Sequence, residues 1–412
     1  MNPFSPPADP GRTVGAPALA GLLTLPIAPA TAARLQCAAG PAHLARAWPR
    51  RDGSLAFELR DAGGAVIAGQ WRPDRDELRR IARRTGGGGP GGTAVVREGG
   101  QLLLLQARCD RRLPGLGVAL DHPGAVLVGH RAEQRAVVRV GAMHIKVTRP
   151  QRAAPAASAA RQAAALARAA GAPFAVALPA NVDLAAGLLH MPSLPGASLA
   201  QRMARGGLRA AARAAGGAIA ALHAADPPVA VSYHSAAQET AVLERWQDLL
   251  APHAPALAER VRAHAPSVAE ALLDVADPPV APLHRDLHDG QILVDDAGAV
   301  GLLDLDTLAV GEPVLDVANL LVHLELAALQ GRCAPGRAAA AAAAFLDGYG
   351  DPPPPDRLAA YADAARLRLV CVHAFRPTPD GLLDALFDRL RTPPPGCEPA
   401  GSPTAPRRPR RA

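Results

Sequence analysis

The segment "PLHRDLHDGQILVDDAGAVGLLDLDTLAVGEPVLDVANLL" holds His284-Arg285-Asp286, an amide side chain at Gln291 and a carboxylate at Asp304 within one short span. A carboxylate, an amide five residues later and a second carboxylate beyond a hairpin follow the H-R-D-x-x-x-x-N layout that serves phosphoryl transfer. The chemistry explains the spacing. One carboxylate must face an attacking hydroxyl and take its proton. The amide oxygen and the second carboxylate must together hold magnesium on nucleotide phosphates. "QILVDDAGAVGLLD" supplies the hairpin, a strand, an Asp-Ala-Gly turn and a strand ending at Asp304.

A second candidate stands in "MHIKVTRP". The chain carries 44 basic residues, and Lys146 is the one lysine among them. Abundant Ala, Gly, Pro and Arg suggest pressure toward GC-rich codons, under which arginine replaces lysine wherever a positive charge suffices. A compact ammonium and a planar five-donor fork are not interchangeable at a tight site. Lys146 therefore marks either a place where arginine fails or a chance remnant on a strand edge.

The elements that must position these residues follow from periodicity. "AVLVGHR", "QRAVVRV" and "MHIKVTR" read as three successive strands, followed by a long helix at "AASAARQAAALARAAG" and further strands at "FAVALPANVD" and "AGLLHMPSLPG". Beyond Pro195 the pattern is mostly helical. Upstream, "SLAFELRD", "AVIAGQW", "TAVVREGG" and "QLLLLQA", with a helix at "RPDRDELRRIARR", suggest a small α+β subdomain. The expected division is a disordered lead (1–16), that subdomain (17–115), a β-rich lobe (124–192), a helical lobe with the catalytic residues (193–391) and a disordered basic tail (392–412). "TGGGGPGG" has no Lys-Ser/Thr after it and reads as a linker, not a phosphate loop.

These motifs resemble those of the aminoglycoside phosphotransferase family, the small-molecule branch of the protein-kinase-like superfamily. "AIAALHAA", "HRDLHDGQILV" and "LLDLDTLAVGEPVLDVANL" stand in the family's order, and the likeness spans roughly residues 124–390. "GEP..D.AN" after Asp304 separates it from eukaryotic protein kinases, which carry A-P-E there. The resemblance implies an α+β, bilobal, protein-kinase-like fold with a β-rich N-lobe and a helical C-lobe. It implies Asp286 as catalytic base, Gln291 and Asp304 as Mg²⁺ ligands, and Lys146 on the α/β phosphates of ATP or GTP. "LLHMP" would be the inter-lobe hinge, its backbone at His190 and Met191 pairing with the purine. Asp306 would be a second metal contact or an electrostatic neighbour, and Asp316 would hold the catalytic loop by hydrogen bonds.

Three departures from the family pattern bear on those roles. Gln291 stands where the family has asparagine, with the same carbonyl oxygen one methylene further out. Between Glu133 and Asp183 there is no acidic residue, and Gln162 occupies the place of the glutamate that pairs with the lysine. Lys146 is then held by Gln162, by Asp304 or by nucleotide alone. The turn "HRAEQRA" lacks glycine, so phosphate cover must come from another backbone turn. Other polar residues have plainer readings. His284 bonds the catalytic-loop backbone, His223 is a satisfied core residue, and His288 and Asp289 either face substrate or cap the loop.

Composition narrows the functional classes. Net charge is +7, but residues 200–392 hold 16 arginines against 24 acidic residues, and the remainder 28 basic against 13. The acidic helical half fits an amine-bearing acceptor such as an aminoglycoside, aminosugar, choline-like compound or amino alcohol, and a neutral sugar acceptor stays open. The basic tail lacks interleaved aromatics, which argues against nucleic-acid binding. Five scattered cysteines without CxxC fit reduced thiols in a cytoplasmic protein. Prolines 17, 26 and 29 interrupt the early apolar run, against a cleaved signal, and no run is long enough to cross a bilayer. The leading expectation is an ATP- or GTP-dependent kinase acting on a small-molecule hydroxyl. The alternatives are a catalytically weak pseudokinase that binds nucleotide or a partner, and a nucleic-acid binder acting through the tail. The sequence leaves the oligomeric state open.

Overall fold

The computed structural model describes residues 12–85, 94–97, 101–171, 173–227, 231–351 and 353–397. Most of the expected lead, the glycine-rich linker and most of the tail lie outside the described residues. Architecture is α+β and bilobal, with an additional N-terminal subdomain.

The N-lobe is a five-stranded antiparallel sheet in the order Asn181–Asp183, Leu188–Pro192, Met143–Thr148, Arg135–Val140, Val126–Arg131. Alternation decides which way Lys146 faces. Ile145 and Val147 point into a core with Val138, Ala136, Leu188 and Leu116, so Lys146 between them projects from the opposite face. The helix Pro150–Ala169 begins two residues after this strand, with proline at its first position.

In the C-lobe, two small sheets carry the polar loops. The hairpin Ile292–Val294/Val300–Leu302 turns at Asp295, whose carboxylate accepts from the amides of Ala297 (2.9 Å) and Ala299 (2.8 Å). Ala281–Leu283 pairs with Ala309–Gly311. Residues 284–291 and 303–308 are thus loops pinned at both ends by strands. Beneath them the helices Leu208–Ala224 and Pro335–Tyr349 cross closely. A Cβ at Gly216 would collide with the Phe345 carbonyl, and one at Gly348 with the Arg213 carbonyl. Close backbone approach is what glycine permits here, against its cost of about 1 kcal/mol in a helix interior.

The N-terminal subdomain is a six-stranded antiparallel sheet flanked by the helix Arg75–Arg84, which Asp74 caps by accepting from the amides of Asp76 and Glu77. It braces both lobes. Toward the C-lobe, Ala47 N–H donates to Phe375 O (2.8 Å) and Ala16 N–H to Ala374 O (3.0 Å). Toward the N-lobe, Arg60 donates to Val128 O (2.6 Å), and buried Glu58 accepts from His130 N–H (2.9 Å) while pairing with Arg60 (2.8 Å) and Arg46 (3.3 Å). Both edges of the expected disorder are ordered where described. Arg12–Thr13 pairs with Thr378–Pro379, and Thr392 O accepts from Arg366 (2.8 Å). Apolar Ala16, Leu19, Leu25 and Ile27 are buried in the main core, so the early apolar run is part of the fold. Among the described residues there is no helix long and apolar enough to cross a membrane.

Candidate active site

The loop bearing Asp286 is fixed from below by a buried carboxylate. Asp316, fully buried at the start of the helix Val314–Leu329, accepts from His284 N–H and Arg285 N–H, both at 2.7 Å, and from His223 Nε2 at 3.2 Å. His223 Nε2 can bond a carboxylate only as donor, which leaves Nδ1 to accept from the Tyr349 hydroxyl (2.9 Å). Burial raises the Tyr349 pKa to about 12, and Asp316 adds to the shift, so the tyrosine keeps its proton. From above, Asn319 Nδ2 donates to Arg285 O (3.1 Å) and Thr307 Oγ1 to His284 O (2.9 Å). His284 Nε2 donates to Leu303 O (2.8 Å). Arg285 takes the left-handed conformation (φ 68°), a strained state for an arginine that these bonds hold in place. The residue that emerges is Asp286, exposed and without a hydrogen bond or ion pair among the described residues.

The hairpin aligns the second pair. Leu303 N–H donates to Gln291 O (2.9 Å), which brings Gln291 beside the turn holding Asp304. Asp304 is also left-handed (φ 55°), turning its carboxylate toward the N-lobe. There Lys146 Nζ donates to Asp304 Oδ1 (3.2 Å) and to Asp306 Oδ2, and Arg135 lies 3.5 Å from Asp304 Oδ2. Burial works to raise the Asp304 carboxyl, but Lys146 and Arg135 more than offset it and hold the pKa below the ordinary carboxylate value. Two carboxylates therefore converge where Lys146 ends, and the backbone of Gln291 lies next to the turn that carries them. This all-oxygen donor set fits a hard cation such as magnesium.

A model of the phosphotransferase enzyme family matches residues 123–362, more than half the chain. The chain belongs to this family. A comparison with curated proteins found no match. Among solved structures, the phosphotransferase is similar to a choline/ethanolamine kinase family protein from Mesorhizobium loti. Identity is 18%, covering 67% of this chain and 92% of that one, with TM-score 0.45. It is also similar to an aminoglycoside phosphotransferase from Streptomyces rimosus at 20% identity, 63% and 96% coverage and TM-score 0.45. A glucosamine kinase aligns at 22% identity, 85% and 93% coverage and TM-score 0.46.

Several residues of this phosphotransferase sit differently from their sequence-based roles. Gln162 makes no hydrogen bond to Lys146. The carboxylates on the lysine come from the other lobe, at Asp304 and Asp306. The backbone of His190 and Met191 lies within the sheet, paired by register with Ile145 and His144. His190 O already accepts Ala180 N–H (2.8 Å) and is not open to a purine. Ser193 N–H donates to Ala142 O (2.9 Å), so by alternation the Pro192 carbonyl faces the other way, past the end of Asn181–Asp183. The groups clear of the ladder are thus Pro192 C=O and Leu194 N–H.

His288 and Asp289 cap the loop. His288 Nδ1 accepts Gly290 N–H (3.0 Å), and buried Asp289 pairs with Arg332 (2.7 Å). The glycine-free turn is pinned: Glu133 (φ 62°) donates its N–H to Asp110 (2.7 Å) and accepts at its carbonyl from Arg149 (2.6 Å). What this hairpin brings to Asp304 is a side chain, Arg135, which sequence reasoning missed because one arginine among so many carries no signal.

Lys146→Arg is expected to lower turnover by about tenfold or more, because a fork cannot occupy the point between Asp304 and Asp306. Steady-state ADP formation measures it; unchanged kinetics would show that any cation serves there.

Proposed function

We propose that this phosphotransferase is a magnesium- and nucleotide-dependent kinase that transfers the γ-phosphoryl group of ATP or GTP to a hydroxyl of a small molecule. The observation that carries the proposal is the exposed Asp286, unpartnered among the described residues and held on a rigid loop beside the Lys146–Asp304–Asp306 cluster. Asp286 orients the acceptor hydroxyl and takes its proton. Gln291 and Asp304, with Asp306 at hand, hold magnesium, which when bound neutralises and orients the phosphates. Lys146 and Arg135 face the same phosphates from the N-lobe. Pro192 C=O and Leu194 N–H offer an acceptor and a donor for the base. With little covalent chemistry for the protein to perform, positioning and electrostatic stabilisation supply the rate.

The test is ADP and GDP formation from labelled ATP and GTP, with and without magnesium, over a panel of sugars, amines, aminoglycosides and hydroxy acids. Magnesium-dependent transfer to one acceptor class supports the proposal. Nucleotide binding without turnover across the panel would favour the pseudokinase reading.

A further inference from the structure

The loop bearing Asp286 carries a second polar cluster that phosphotransfer does not use. His288 and Asp289 come from the loop itself, and His323 comes from the helix Val314–Leu329 that anchors it through Asp316. One imidazole nitrogen of each histidine and one Asp289 oxygen all lie within 4.8 Å of one another. His288 Nδ1 is 3.7 Å from Asp289 Oδ1, and His323 Nδ1 is 3.9 Å from the same oxygen. The two imidazole rings stand 5.1 Å apart, tilted by 32°.

Hydrogen bonding does not account for this gathering. His323 makes no hydrogen bond among the described residues, although Val322 and Leu324 on either side of it are fully buried. Asp289 is buried, and its Oδ2 accepts from Arg332 (2.7 Å). Its Oδ1 faces both imidazoles and accepts from no donor among the described residues. A buried carboxylate oxygen with two imidazole nitrogens just beyond hydrogen-bond length is arranged for a ligand that sits among them. Arg332 on the other oxygen is the outer partner that a ligating carboxylate needs.

Two imidazoles and a carboxylate are the donor set of zinc sites that keep an open position. Zinc bonds of that kind put the ligand atoms of a tetrahedron about 3.3 Å apart, so rotation of the two rings toward Oδ1 closes the set. Magnesium prefers oxygen donors and belongs with Asp304, whereas imidazole suits zinc, so the ligands sort the two cations. Closure has a cost at the loop. His288 Nδ1 is the acceptor of Gly290 N–H (3.0 Å), and a lone pair given to zinc is withdrawn from that amide. Gly290 precedes Gln291, whose own N–H donates to His288 O (2.9 Å), so zinc undoes the cap next to Gln291.

We propose that His288, Asp289 and His323 form a zinc site, with water completing the coordination, and that zinc bound there loosens the loop and lowers turnover. The site stands on side-chain geometry alone. Its effect on turnover rests on the kinase reading proposed above.

The experiment uses the full chain, freed of metal and then held in excess magnesium. Zn²⁺ is titrated in competition with a chromophoric chelator, and Co²⁺ is followed by its visible absorption. One equivalent is expected to bind, with the strong absorption of a four-coordinate cobalt ion. His323→Asn and His288→Asn should each weaken binding at least about tenfold, with the fold intact by thermal unfolding; should one variant fail to fold, the other decides. His323 has no part in phosphotransfer, so the zinc-free turnover of His323→Asn should stay near wild type while inhibition by zinc is lost. No binding in the presence of magnesium, or binding that survives both variants, overturns the proposal. Binding abolished by Asp304→Asn instead also overturns it, by putting zinc among the magnesium ligands. Zinc that binds through both histidines and leaves turnover unchanged overturns the inhibition. Zinc bound through them in a chain that forms no ADP with any acceptor supports the site and defeats the kinase reading, so the two failures are distinguishable.

Discussion

Asp286→Asn is expected to reduce phosphotransfer by about 10²- to 10⁴-fold, the range for loss of a positioned general base, with nucleotide affinity nearly unchanged. The reason for the split lies in what Asp286 touches. Its carboxylate has no partner among the described residues, whereas its loop is held through the backbone of His284 and Arg285 by Asp316. Asparagine is isosteric, disturbs none of those bonds and cannot accept the hydroxyl proton. In the proposed reading nucleotide meets Lys146, Asp304 and the strand edge at Pro192–Leu194, and none of these bonds to Asp286. Single-turnover transfer and equilibrium nucleotide binding, measured on the same preparation, separate the two effects. A variant that keeps a tenth or more of the rate would remove Asp286 from the base position. A variant that loses nucleotide affinity as well would show that the loop itself had moved.

Local structure was legible in the sequence, and long-range electrostatics was not. The alternating runs around "AVLVGHR", "QRAVVRV" and "MHIKVTR" form adjacent antiparallel strands because each has one face to bury. The Asp-Ala-Gly turn makes its hairpin because Asp295 supplies the acceptor for two turn amides. The partner of Lys146 was left open, since an ion pair 158 residues apart in the chain depends on how the lobes meet. The hinge reading named the backbone of His190 and Met191, and "LLHMP" does not reveal that Ala180, next to the strand Asn181–Asp183, donates to the His190 carbonyl. Lobe-averaged charge suggested an amine-bearing acceptor, and the pairing of acids such as Glu239, Glu312 and Glu325 with arginines depends on contacts between elements far apart in the chain. The strands upstream of residue 110 were visible, but not their docking on both lobes, which rests on backbone bonds such as Ala47 to Phe375 that no side-chain pattern encodes.

Asp316→Ala should have the largest structural effect of any single change near the site. The buried wild-type carboxylate is the acceptor for two backbone amides and one imidazole, that of His284 buried and those of Arg285 and His223 half-buried. Removing it leaves three donors without partners, at about 1–3 kcal/mol each before relaxation. A loss on the order of 3–5 kcal/mol, as when one member of a buried charged network is deleted, is therefore expected in urea unfolding. Asp316→Asn is the sharper probe of function. It keeps one acceptor oxygen but turns an N–H toward either the His284 or the Arg285 amide, so the loop should loosen without the whole fold failing. Because Asp316 touches neither nucleotide nor acceptor, that loosening should appear in kcat, with the KM for nucleotide little changed. The left-handed Arg285 explains why: its strained backbone is held only while those amides have their acceptor, and Asp286 takes its direction from it. Full activity in a stably folded Asp316→Asn protein would show that the loop holds Asp286 in place without this carboxylate.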